Sequence, residues 1–246
     1  MKTAGLIGGM GAQVTAYFYT KLIQQQVRQK EQNYLDIIIY SKTSVPDRTA
    51  YILDNTKPNP CPALVAAAVS LEKAGADFIV ISCITAHYFY NEISAAVNIP
   101  VVNALDVVKE YVESKGLSDV WLLATSGTIK SQLLVVPKET KIHTLPEDKQ
   151  AELMDIIYTV KTATDLTEPR LRLKKLISSV RHCGLNPQSN RIYNCDGIAG
   201  QARNDVASHY PVILGCTELS LIAEPGHIDV LELLVQKTLQ LGLLSP

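Results

Sequence analysis

The run Phe78-Ile79-Val80-Ile81, closed abruptly by Ser82-Cys83, constrains the fold of this chain more than any other feature. Strict alternation of apolar and polar residues marks a strand with one wet face, but an unbroken apolar run needs cover on both faces. Pro211-Val212-Ile213-Leu214 repeats the form and ends at Gly215-Cys216. Strands of this kind belong to parallel sheets sandwiched between helices, and the intervening sequence supplies the helices. The spacing predicts strands over 3–7, 35–40, 78–81, 101–102, 120–124, 141–144 and 212–214. It predicts helices over 15–29, 61–74, 147–162, 171–183 and 230–241. Pro62 near the start of the second helix and Gly75 just past its end are the expected punctuation.

The chain is internally repetitive. TAGLIGGMG (3–11) is echoed by DVWLLATSGT (119–128), each a strand running into a small-residue loop, and ADFIVISCIT (76–85) is echoed by HYPVILGCTE (209–218). The expected fold class is therefore α/β: two pseudo-symmetric lobes, each a mainly parallel sheet flanked by helices, with the active site in the cleft between them. The first lobe spans 1–104 and is completed by a C-terminal helix within 221–246. The second spans 105–220 and carries an inserted polar loop near 186–209. Ligands of open parallel sheets collect beyond the carboxyl ends of the strands. All four echoed motifs lie there, so Cys83 and Cys216 are expected on opposite walls of one cleft.

Composition removes several function classes. A net charge of −1 without a Lys/Arg block gives no electrostatic footprint for nucleic acid. The longest apolar runs fall well short of a membrane span, and the N-terminus is too short and glycine-rich for a signal peptide, so a cytoplasmic protein is expected. Five cysteines with no CxxC pair, and five scattered histidines, suggest neither a disulfide framework nor a metal site. Gly8-Gly9-Met10-Gly11 opens a helix as an anion-holding loop would, but it is neither GxGxxG nor a Walker A loop, which counts against dinucleotides and ATP.

Two mirrored thiols suit one chemistry in particular. Inverting a stereocentre requires removing a proton from one face and delivering one to the other, and a thiolate opposed by a thiol does both. GGMG…T (Gly8–Thr15), SVPDRTAYI (Ser44–Ile52), CITAHYFY (Cys83–Tyr90) and LGCTEL (Leu214–Leu219) resemble, in this order, the aspartate/glutamate racemase superfamily, and within it the aspartate racemase branch. The resemblance runs from the N-terminus to about residue 130 and resumes near Leu214. It implies a racemase free of pyridoxal and of metal, with no cofactor, usually a homodimer, acting on a small acidic amino acid.

Carried over position by position, Cys83 and Cys216 match the two catalytic cysteines, and Thr85 and Thr217 the hydroxyls that grip the substrate α-carboxylate. Arg48 matches the arginine for the side-chain carboxylate, where a bidentate guanidinium outperforms an ammonium. Lys161 matches a second cation, Met10 and Gly11 floor the site, and Glu218 stands beside the second thiol. GGMG lacks the carboxylate of the DSGxGG loop of glutamate racemases, which favours aspartate. Ile84 replaces the usual asparagine after the first cysteine and removes a carboxylate donor; Ala12 replaces a proline, and Ser41-Lys42-Thr43 replaces asparagine-rich sequence. His87 is expected in the first turn after Cys83, and Asp47 to fix the Arg48 loop. Two other functions fit the same resemblance: a related isomerase or decarboxylase acting beside another carboxylate, and a catalytically weak protein that binds an acidic ligand.

Overall fold

The computed structural model describes residues 2–27, 30–182 and 210–243 of the 246-residue chain. The loop expected at 186–209, together with Cys183 and Cys195, lies outside the described residues. In chain order the elements are β1 (Ala4–Gly8), α1 (Ala12–Gln26), β2 (Ile37–Ser41), α2 (Arg48–Leu53), α3 (Cys61–Lys73) and β3 (Phe78–Ile81). There follow α4 (Tyr90–Ala95), α5 (Ala104–Ser114), β4 (Asp119–Leu123), α6 (Ser126–Lys130), β5 (Lys141–His143), α7 (Glu147–Thr162) and α8 (Thr167–His182). The chain ends with β6 (Val212–Leu214), β7 (Ile228–Asp229) and α9 (Val230–Leu243).

Two parallel sheets result, and they are built alike. The first has the order β2-β1-β3, extended beyond β3 by a single parallel bridge from Ile79 to Val101; the second has the order β5-β4-β6-β7. The strand expected at 101–102 is thus reduced to that bridge. Superposing the orders pairs β1 with β4, β3 with β6, and the Val101 bridge with β7. The helices that leave the last two positions, α5 and α9, pack on one another, and α9 also packs on α1. Both open on a side-chain cap: Asn103 Oδ1 accepts from Leu105 N at 3.0 Å and Asp229 Oδ1 from Leu231 N at 2.9 Å. The C-terminal helix begins at Val230, where the spacing predicts it; the Pro225-Gly226 turn, with Gly226 at φ +103°, and β7 occupy the stretch before it.

The apolar runs are explained by three hydrophobic layers. Leu6, Phe78, Val80, Val120, Leu122 and Ile213 face a layer shared by the two sheets, which Phe18, Val108, Leu231 and Leu234 fill from α1, α5 and α9. Alternate residues of the same strands face outward: Ile7, Ile79 and Ile81 meet α3, while Trp121, Leu123, Val212 and Leu214 meet α7 and α8. Each fully buried side chain of this size contributes about 1.5–3 kcal/mol, so a polar residue at any of these buried positions would be costly. Among the described residues, no helix is long and apolar enough to cross a membrane.

Candidate active site

β1, β3, β4 and β6 all point their carboxyl ends at one place, and the loops that leave them form its walls. Gly9, at φ +86°, lies so close to the backbone of Lys42 that a Cβ would overlap it, which explains why the first loop needs glycine. Its N–H donates to Thr15 Oγ1 at 2.8 Å, and that hydroxyl donates on to Gly11 O at 3.0 Å. The Gly9 amide is therefore spent on the loop's own shape and does not face an anion, as the sequence reading allowed.

Cys83 and Cys216 line the same cleft, 6% and 5% exposed. Met10, Arg48, Ile84, Thr85, Lys161, Thr217 and Glu218 line it with them. Gly11 stands at its edge, where an added Cβ would lie 3.2 Å from Glu218 Oε1. Asp47, Thr49 and Thr125 complete the lining and were not assigned to it from the sequence. Lys42 takes no part: its ammonium stacks 5.5 Å from the centre of the Tyr40 ring. The space left among the lining side chains is about 10 Å³, roughly what one water fills.

The two thiols sit in different electrostatic settings. Cys216 Sγ donates to Glu218 Oε2 at 3.0 Å. Burial, then the Glu218 charge and its hydrogen bond, push the Cys216 pKa well above 9.0, with Lys161 pulling weakly the other way, so this sulfur rests as a thiol. Cys83 instead neighbours the Arg48 guanidinium. Burial works against the Arg48 charge, but Cys83, Asp47 and Glu218 outweigh it and leave its pKa raised. Lys161 behaves likewise, since Glu218, Cys216 and Cys83 overcome its desolvation; its Nζ lies 3.7 Å from Glu218 Oε1.

Hydroxyls tie the two lobes together at the cleft floor. Thr85 Oγ1 lies 3.0 Å from Thr125 Oγ1 and 3.2 Å from Thr128 Oγ1, which are themselves 3.1 Å apart. Thr217 donates to Ser82 O at 2.9 Å, so its proton is used on the backbone and only its lone pairs remain for another partner. Arg48 donates to Val45 O (3.4 Å), Pro46 O (3.0 Å) and Met10 O (3.1 Å), while Asp47 caps α2 by accepting from Ala50 N at 2.8 Å. Arg48 thus holds its own loop against the β1 loop. His87 is buried: Ala104 N donates to its Nε2 at 3.1 Å, which leaves Nδ1 as the N–H that donates to Cys83 O at 3.0 Å.

Arg48 Nε and Glu218 Oε1 are buried in this cleft without a hydrogen-bond partner. Unpaired buried polar atoms are costly and rare, and here one is a cationic donor and the other an anionic acceptor. Among the described residues, no group of three or more His, Cys, Asp or Glu side chains could hold a metal ion.

The family model for Asp/Glu/hydantoin racemases matches residues 7–136. The chain belongs to that family. The broad-specificity amino-acid racemase RacX of Bacillus subtilis is 29% identical over 133 residues, 52% of this chain and 57% of that protein, so the likeness spans little more than half of the relative. The aspartate racemase of Picrophilus torridus matches 98% of the chain and 94% of its own with a TM-score of 0.77 at 24% identity. An aspartate racemase homologue from Pyrococcus horikoshii matches 98% and 99% with a TM-score of 0.70 at 25% identity. A glutamate racemase from Francisella tularensis matches 98% and 80% with a TM-score of 0.56 at 16% identity. The fold of this family member sides with the aspartate racemases, the branch that the GGMG loop and the PDRT motif suggest. Cys216 lies beyond the residues that the family model matches, so its place in the cleft that Cys83 lines comes from the structure.

Proposed function

We propose that this protein is an amino-acid racemase that inverts Cα of a small acidic amino acid, aspartate foremost, by proton transfer between Cys83 and Cys216. One observation carries the reading: two buried thiols, from equivalent strand ends of the two lobes, line a single cleft whose unpaired atoms are Arg48 Nε and Glu218 Oε1. A zwitterion suits both atoms: its carboxylate gives the guanidinium an acceptor, and its ammonium gives Glu218 Oε1 the hydrogen bond that Lys161, 3.7 Å away, does not make.

The proton transfers follow from the two settings. The thiolate of one cysteine takes the Cα proton, the electron pair left behind delocalises into the α-carboxylate, and the thiol opposite delivers its proton to the other face. Cys216, which rests protonated on Glu218, begins as the donor. In the reverse direction the thiolate that this transfer leaves on Cys216 takes the Cα proton and the Cys83 thiol delivers its own, with Glu218 accepting the hydrogen bond of the Cys216 thiol as it re-forms. Arg48 stabilises the thiolate on Cys83 whenever that sulfur lacks its proton, and the Thr85 hydroxyl, in the Thr85–Thr125–Thr128 triangle, receives the α-carboxylate charge. Every step uses groups of the chain, so the proposal needs no cofactor.

The Bacillus subtilis relative carries a broad-specificity name, which extends the candidate substrates beyond aspartate. Incubation with single L-amino acids in deuterated water tests both parts. Deuterium at Cα together with growth of D-aspartate is the expected result. Exchange without inversion would leave a single working base, turnover of neutral amino acids but not aspartate would remove the acidic substrate, and no exchange across the whole panel would overturn the racemase reading.

A further inference from the structure

A cleft with room for about one water admits no amino acid unless part of its wall moves. The hydroxyl ties from Thr85 and Thr217 are buried at its floor. At the solvent edge one side-chain bond spans the gap between α2 and α7: Tyr158 Oη donates to Asp47 Oδ2 at 3.2 Å. Asp47 is fixed by its cap of α2 through Oδ1, so its second oxygen is presented to α7. Tyr158 is 41% exposed, and the Lys161 ammonium, one turn further along α7, lies 5.0 Å from the centre of its ring. The phenol therefore roofs one cleft cation while its hydroxyl grips the residue before the other.

We infer that the Tyr158–Asp47 bond is a latch over the mouth of the cleft, closed at rest and broken to admit the ligand. It breaks at little cost, because water can take over both partners as they part, whereas separating the buried hydroxyls would leave donors and acceptors unpaired. The latch holds for any small ligand of this cleft, whatever chemistry follows, so its test does not depend on turnover.

Alkylation of the cleft thiols by reagents of graded size, read by peptide mass spectrometry, tests it. Tyr158→Phe keeps the ring against Lys161 and removes only the bond. Asp47→Ser keeps a helix cap but is too short to reach Tyr158. In each variant Cys83 and Cys216 should be labelled about threefold to tenfold faster, the gain expected from losing one solvent-edge hydrogen bond. The factor should grow with reagent size, which a changed thiol acidity would not produce. Cys61, half-buried at the start of α3 and outside the cleft, serves as an internal reference and should keep its rate. Unchanged labelling of the cleft thiols, equal acceleration at Cys61, or a factor independent of reagent size would each overturn the latch.

Discussion

Cys216 Sγ donates to Oε2 of Glu218 across 3.0 Å, with both residues at most 5% exposed. This thiol is the more protonated for its partner: burial raises its pKa first, and the glutamate charge and hydrogen bond raise it further. Glu218→Gln removes the charge, leaves a weaker neutral acceptor for the thiol, and leaves burial as it is. The Cys216 alkylation profile should therefore move to lower pH while remaining above that of an exposed thiol, and kcat/KM should fall on the order of a hundredfold as the thiol loses the carboxylate that holds its proton. The sign also fixes the stability profile. A folded-state pKa above the unfolded value stabilises the fold fully below about 9.0, and that contribution is lost as pH rises through the raised value. Alkaline destabilisation should be shallower in the variant. An unmoved alkylation profile would detach Glu218 from Cys216.

Arg48 spends both terminal nitrogens on the carbonyls of Val45, Pro46 and Met10. A lysine ammonium cannot span that set, and losing a hydrogen bond to a charged group costs about 1.5–3 kcal/mol. Arg48→Lys should lower the denaturant midpoint accordingly and raise KM for aspartate about tenfold or more. Urea unfolding and initial-rate kinetics measure the two effects separately. A native midpoint would show that the guanidinium does not clamp the two loops.

The apolar runs revealed β3 and β6 because both faces of each strand are covered, and the same periodicity gave α7 its bounds. Helix α5 went unforeseen although Asn103 is a cap and Val107, Val108 and Val112 share a face; its apolar stripe matters only against α9, more than a hundred residues away. The motifs brought the cysteines, Arg48 and Lys161 to one cleft. They did not reveal the Thr85–Thr125–Thr128 triangle or the use of Thr217 on Ser82 O, since each joins residues of different lobes and depends on how closely the lobes approach. Asp47 was legible as a loop-fixing residue because aspartate before a helix has a local role, whereas its bond to Tyr158 across 111 positions has no local signal.

His87 accepts from Ala104 N and donates to Cys83 O, so its neutral form is built into the joint between the Cys83 turn and α5. Burial lowers its pKa from 6.5, partly opposed by nearby backbone groups and by Asp106, and the Tyr90 ring stacks beside it. A base that is harder to protonate when folded stabilises the protein above the unfolded value, and this contribution is lost as pH falls below about 6.5 toward the folded value. His87→Leu should lose about 1–3 kcal/mol near neutrality from the unpaired Ala104 N–H and Cys83 carbonyl. Its stability should also fall less steeply on acidification than that of the native protein. Equal acid slopes for the two would remove His87 from the pH response.

Ile84 serves two surfaces at once, which makes its replacement a trade. The residue lines the cleft beside Cys83, yet at 3% exposure it belongs to the layer shared by the two sheets, with Val14 and Phe18. An asparagine here would bring the carboxylate donor that the family motif carries, and would also place an amide against that layer. Burying an incompletely paired amide costs about 1–3 kcal/mol, and for a chain of this length each kcal/mol lowers the melting temperature by about 2–4 °C. Ile84→Val, which only shortens the side chain, should cost about 0.5–1.5 kcal/mol and leave kinetics near native. Ile84→Asn should melt earlier than either and, assayed well below its transition, show a several-fold higher kcat/KM for aspartate. A loss of stability without that gain would make Ile84 a packing residue with no bearing on rate. A gain without the loss would show that its side chain does not belong to the shared layer, because an amide that faces only the cleft leaves the core untouched.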